Sequence, residues 1–182
     1  MSYSLIVNEK VKAKVENVYD ELATEINAKL NILCEDNSEL HLQNYTNFLN
    51  DASTFVNAYC LREAYIRIDD LALNNKKAHH FTKVYLTEEE GQADLLNVVV
   101  NSSGIEQDYK YNIIHGNANT TSTIMNYGIA KNNSYLSFDN LGHIVKGAKK
   151  ASMSQKTKGI ILDMYSGIGA NPILEIDEND VI

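Results

Sequence analysis

From Val11 the apolar residues Val11, Val15, Val18, Leu22, Ile26 and Leu30 recur at steps of four, three, four, four and four. That spacing lines them up in one stripe of an α-helix, with Lys12, Glu16, Asp20, Glu21, Glu25 and Lys29 off the stripe. It predicts an N-terminal amphipathic helix of about 18–20 residues within residues 1–30, packed on a sheet or leading into one. The polar face mixes both signs of charge, unlike the Lys/Arg-rich face of a helix that lies on a membrane.

Beyond Leu30 the period changes. Ala64, Ile66 and Ile68 alternate with Tyr65, Arg67 and Asp69, and Thr82–Leu86, Leu95–Val100, Tyr109–Ile114 and Gly159–Leu162 continue a series of short strand-like stretches. None of the nine glycines precedes Gly91, and the one proline is Pro172. Gly91, Gly104, Gly116, Gly128 and Gly142 are separated by 13, 12, 12 and 14 residues, and Gly147 to Gly159 adds another 12. Each interval fits one strand and one turn. Several of the 22 asparagines lie near these glycines (Asn101, Asn117, Asn119, Asn126, Asn140), where a residue that tolerates the left-handed region closes a turn.

Two architectures satisfy that spacing. A meander or sandwich reverses the chain at each turn, whereas a flattened, two-layer parallel β-helix uses two strand–turn units per coil, about 24 residues, and stacks the coils. The period alone does not choose between them. The abundance of asparagine leans towards stacked coils, because Asn side chains form ladders between superposed strands. The hexapeptide repeat of left-handed helices and the glycine–aspartate nonapeptide of calcium-binding rolls are both absent.

A chain of 182 residues makes one domain, or one domain with an appendage. Its 44% hydrophobic and 22% charged residues are those of a globular chain. A net charge of -8 disfavours nucleic acid or an anionic membrane surface as partner. Met1–Lys10 lacks the basic and apolar regions of a secretory signal, and runs such as Val98–Val100 fall far short of the roughly 20 apolar residues of a membrane span, so a cytoplasmic location is expected. Cys34 and Cys60 have no CxxC partner and no histidine at ligand spacing, so each is expected to be a small buried hydrophobe.

Each cluster of reactive side chains has a plain reading beside its chemical one. His79 and His80 are adjacent on a strand and point to opposite faces, so they cannot share a metal; they read as turn or surface histidines. Asp69 and Asp70 diverge for the same reason and read as turn formers rather than a catalytic pair. Glu88, Glu89 and Glu90 before Gly91 read as a solvated corner. Lys146, Lys149 and Lys150 form a basic spot without P-loop spacing, and no GxGxxG or GxSxG is present. Asn171–Val181 sets Leu174 and Ile176 on one strand face and gathers Asp177, Glu178 and Asp180 in a turn that lacks the spacing of a calcium loop. No catalytic, cofactor-binding or metal-ligating residue is assigned.

Taken in order, Phe55–Cys60 (FVNAYC), Tyr65–Tyr85 with its YIRIDDL and AHHFTKVY segments, Gly142–Asp163 (GHIVKGAKKASMSQKTKGIILD) and Asn171–Val181 (NPILEIDENDV) resemble the core of the SufB/SufD family, components of the Suf machinery for iron-sulfur cluster assembly. The AHHF segment inclines the resemblance to the SufD branch. It covers about residues 30–182, which divides the chain into a helical segment 1–30 and a β-helix core 31–182. The resemblance implies an all-β, right-handed parallel β-helix. It also implies a non-enzymatic scaffold that acts with SufB and the ATPase SufC, with the iron-sulfur cluster belonging to the whole complex.

The family's cluster-associated residues lie beyond Ile182, so none is carried over and the chain reads as a truncated core or a shortened paralogue. An open coil end then predicts self-association, as a dimer. The competing classes are a β-helical carbohydrate-active enzyme and a plain protein-interaction module.

Overall fold

The computed structural model describes residues 2–21, 26–102 and 104–182, and these form thirteen strands and no helix. The odd-numbered strands are β1 (Ser2–Val7), β3 (Ile26–Cys34), β5 (Ala52–Cys60), β7 (Ala78–Leu86), β9 (Glu106–His115), β11 (Tyr135–Ile144) and β13 (Gly167–Ile176). The even-numbered strands are β2 (Lys12–Glu21), β4 (Glu39–Phe48), β6 (Tyr65–Ala72), β8 (Gln92–Asn101), β10 (Thr121–Ala130) and β12 (Ser152–Ile161). Odd strands pair only with odd strands and even with even, always parallel, giving a seven-stranded and a six-stranded sheet. A chain that alternates between two such sheets winds as a parallel β-helix of about six coils, one strand per sheet in each coil.

Sequence period and burial agree along each strand. β8 and β10 alternate intermediate and buried positions through their length, so every second side chain enters the space between the sheets. That interior holds one main apolar cluster, with Leu40, Leu42, Ile66, Ile68, Leu95 and Ile124 from the six-stranded sheet against Val84, Ile113, Leu136 and Phe138 from the other.

The corners from odd to even strands repeat one conformation. Lys10, Asn37, Glu63, Glu90, Asn119 and Lys150 have φ between 54° and 62°, one per coil. Their amides link the coils: Asn37 N donates to Arg62 O (2.8 Å), Glu63 N to Glu89 O (3.0 Å) and Glu90 N to Ala118 O (3.1 Å). The residue after each of the later five turns inward under the corner, and it is small: Ser38, Ala64, Gly91, Thr120 and Ala151 are all buried.

The expected N-terminal helix is absent: β2 and β3 occupy this region and join the same two sheets as the rest, so 1–30 is not a separate helical segment among the described residues. Four is also twice two. Ile26 and Leu30 both face inward with Ala28 between them, a strand pattern that a step of four reproduces, while Val18 faces outward at 65% exposure. Leu22, also in that stripe, lies outside the described residues.

The coil is longer than the expected 24 residues, running from 26, where Ala52 lies beside Ile26, to 32, where Gly167 lies beside Tyr135. The glycine spacing misled because Gly128 and Gly142 lie inside β10 and β11 rather than at turns. A Cβ on Gly128 would come within 2.8 Å of Phe138 Cε2 and 2.9 Å of Leu136 Cδ2, so the position is glycine for close packing between the sheets.

Candidate functional site

The lumen carries a polar column through its apolar core. Asn17, Asn44, Asp70, Asn97, Asn126 and Thr157 occupy one register position on β2, β4, β6, β8, β10 and β12. Asn17 Nδ2 donates to Asn44 Oδ1 (3.3 Å), and Asn44 Nδ2 to Asp70 Oδ1 (2.8 Å). Further along, Asn97 Nδ2 donates to Asn126 Oδ1 (2.6 Å), and Asn126 Nδ2 to Asn140 Oδ1 (3.1 Å) and Thr157 Oγ1 (3.2 Å). Buried amides are tolerated here because each coil supplies the partner for the next. The column was open to sequence reasoning as Asn or Asp recurring at 17, 44, 70, 97 and 126, a period that the glycine spacing masked.

Beside the column, His80 is sandwiched by hydroxyls, with Nδ1 2.7 Å from Thr54 Oγ1 and Nε2 2.7 Å from Thr82 Oγ1. Its ring centroid lies 6.0 Å from that of Tyr109 and 5.5 Å from that of Tyr111. Burial raises both phenols above their ordinary range, and the charge of Asp70 adds to it. Asn74 Nδ2 donates to Tyr109 Oη (3.0 Å). Each sequence-singled pair is therefore split between the two faces of its strand: His79 and Asp69 face solvent, His80 and Asp70 the lumen. Opposite orientation was expected. The reading of the aspartates as turn formers fails, since both lie within β6; of the two histidines, both within β7, His79 is at the surface as expected and His80 is buried.

On the outer face of the seven-stranded sheet, His79, Asp108 and Ser137 stand in register on β7, β9 and β11. His79 Nδ1 is 3.1 Å from Asp108 Oδ2, and Ser137 Oγ donates to Asp108 Oδ1 (2.6 Å). The carboxylate, not the imidazole, is in the middle, so the order differs from a Ser–His–Asp triad, in which the imidazole contacts the serine. Phe55, Phe81 and Lys110 complete a shallow groove of about 430 Å³.

On the outer face of the six-stranded sheet, Asp69 accepts from Arg67 Nε (2.8 Å) and lies 2.7 Å from His41 Nε2. Partial burial pushes its carboxyl upward, but these two hydrogen bonds and the Arg67 charge outweigh burial and hold it below the ordinary range. Next to this polar strip the same face turns apolar: Leu71, Val98 and Tyr127 form one register row, and Val100, Ile129 and Ile160 another. These rows form an outward-facing apolar block on the sheet, half-buried except at Ile160, which is exposed.

The remaining clusters serve corners. Glu88–Glu90 form the expected corner before Gly91, with Glu90 at φ 62°. In the basic spot, Gly147 N donates to Glu178 Oε2 (2.9 Å), so the acidic turn after β13 caps the Lys146–Lys150 corner. That bond and those from the Asp180 and Asn179 amides hold the Glu178 carboxyl below its ordinary range. Cys34 and Cys60 are both buried, as expected, and stand beside one another on β3 and β5. Among the described residues no three His, Cys, Asp or Glu side chains are grouped to hold a metal ion, and no helix is long and apolar enough to cross a membrane.

Fold and surface together define a parallel β-helix with a polar column through its apolar interior and an apolar outer strip. A family model described as "SUF system FeS cluster assembly, SufBD core domain" matches residues 2–182, and the chain belongs to that family. It is 33% identical over 88 residues to the iron-sulfur cluster assembly protein SufD of Bacillus subtilis (strain 168), covering 48% of this chain and 20% of that protein. It is 27% identical over 109 residues to an iron-sulfur cluster assembly SufBD family protein of Mycobacterium leprae (strain TN), covering 60% of this chain and 12% of that one. A SufBD family protein of Mycobacterium bovis is 23% identical over 156 residues, 85% of this chain and 18% of the relative. The matched part thus spans a fifth or less of these relatives.

Proposed function

We propose that this chain is a SufD-like, non-enzymatic scaffold in a cytoplasmic complex that builds iron-sulfur clusters, working beside a SufB-like subunit and a SufC-like ATPase. The observation that carries the reading is the SufBD core match over residues 2–182 of a continuous β-helix. In this role the cluster is cargo. The β-helix supplies surface and transmits the movement driven by ATP hydrolysis in the partner. The two thiols of this chain support that division of labour, since both are buried in the lumen.

Two features fit a partner-bound scaffold. The apolar rows through Val98 and Val100 offer a docking strip on the six-stranded sheet. At the end of the described chain, the lumen-facing Ile161, Leu174 and Ile176 are 51%, 50% and 46% exposed, and β12 and β13 each pair on one edge alone. Self-association through these exposed apolar side chains gives a dimer, which sedimentation at tens of micromolar checks; a monomer there would exclude it.

The test of function is co-expression with SufB and SufC from the same source, followed by purification and assay of iron and sulfide. Stable co-purification with SufB is expected. Failure to bind either protein, with the chain folded, would remove the scaffold reading and favour an interaction module with other partners.

A further inference from the structure

The polar column is interrupted at one place. Its hydrogen bonds run in one direction, each amide Nδ2 donating to the next oxygen, until Asn44 reaches Asp70. Asp70 is a carboxylate and has no N–H to pass on, while the amide of its register neighbour Asn97, which donates from Nδ2 to Asn126, makes no hydrogen bond to it. Two acceptors, Asp70 Oδ2 and Asn97 Oδ1, are therefore left on adjacent strands without a hydrogen-bond partner. A third unpartnered group, Tyr111 Oη, lies in the same section of the lumen, where its ring is 5.5 Å from the His80 ring. His80 Nε2 in turn lies 3.2 Å from Asp70 Oδ2, a contact that makes no hydrogen bond because Nε2 engages Thr82 Oγ1 at 2.7 Å.

The exposures of Asp70, Asn97 and Tyr111 are 7%, 0% and 0%, so bulk solvent does not satisfy them. Buried polar atoms left unpaired are costly, and native interiors resolve such sets with ordered water at about one per 27 residues.

We propose that the lumen contains a built-in site for one water molecule, which donates to Asp70 Oδ2 and Asn97 Oδ1 and accepts from the Tyr111 hydroxyl. Two acceptors and one donor match the hydrogen-bonding capacity of water. A proton on Asp70 would satisfy Asn97 but leave Tyr111 unpaired. An alkali cation would accept nothing from Tyr111 and would crowd the His80 ring against the same carboxylate oxygen. The water restores continuity to the column. Asp70→Asn supplies the missing donor within the chain itself, so the amide completes the column and displaces the water, leaving Tyr111 Oη unpaired.

A crystal structure of the wild-type chain at about 1.8 Å is the direct test. The expected result is one density peak within hydrogen-bond distance, about 2.6–3.2 Å, of all three atoms. An empty site, with the Asn97 amide reversed so that Nδ2 touches Asp70 Oδ2, would overturn the proposal, as would anomalous density at the peak after a rubidium soak. In solution, oxygen-17 magnetic relaxation dispersion on wild type and Asp70→Asn should show the variant lacking one long-lived internal water. An unchanged water count would contradict it.

Discussion

His115 shows how a single buried side chain links this fold to pH. Its Nδ1 lies 2.9 Å from Thr120 Oγ1 and its Nε2 2.7 Å from Ser122 Oγ, so both ring nitrogens are occupied by hydroxyls inside the lumen. Burial disfavours the imidazolium and lowers the pKa to about 4, against an ordinary 6.5. The unfolded chain therefore binds a proton between those values that the folded chain refuses. The resulting stability is fully present above pH 6.5 and is lost as the pH falls from there towards 4. A shift of that size corresponds to about 3 kcal/mol at most. Urea unfolding at pH 7.5 and 4.5 should show a steeper loss for wild type than for His115→Gln, which carries no titrating group. Equal slopes would mean that the imidazole is not held neutral by the fold. His115 does not stand out in the sequence as the adjacent His79 and His80 do, because a buried histidine satisfied by its own coil neighbours has no local signature.

At the scale of elements, alternation was legible from β6 onward and the turn at Glu88–Gly91 was placed correctly, because both depend on neighbours in sequence. Coil length and the β2–β3 region were not legible in the glycine spacing or the apolar stripe. Those depend on which residues stack across 26 to 32 positions, and a glycine count does not record stacking. The informative repeat lies in the corners, where most positions with positive φ are not glycine and so escape a search for glycines. Glu63 tests the cost of that choice. It is exposed at φ 54°, and its amide donates to Glu89 O. A left-handed conformation costs an L-residue about 1–2 kcal/mol, part of which glycine returns through the entropy of its unfolded chain. Glu63→Gly should therefore raise stability by about 0.5 kcal/mol, whereas Glu63→Pro should lower it by about 3 kcal/mol through loss of the amide and the wrong φ. Urea midpoints decide it, and a Glu63→Gly variant less stable than wild type would show that the corner carries no strain.

For the whole molecule, the two sheets make stability a matter of neighbouring coils. Nearly all strand contacts join a coil to the one before or after it, so the stack behaves as a one-dimensional array in which each coil is held from two sides, except at the ends. The ends differ from the middle in burial as well as pairing. The strands β12 and β13 present exposed and intermediate positions throughout, while β6 and β8 bury every second residue. Opening at an end exposes little further apolar surface, but opening between β6 and β8 exposes Ile66, Ile68 and Leu95 and parts the column at Asp70. Native-state hydrogen exchange should accordingly give a graded profile, slowest at the amides of β5 to β9 and progressively faster towards β1 and β2 and towards β12 and β13. Addition of a partner that covers the β12–β13 end should slow exchange there first, by raising the free energy of opening the last coil alone. Uniform protection along the chain would mean instead that the coils unfold as one cooperative unit, and that docking at one end is felt equally at the other.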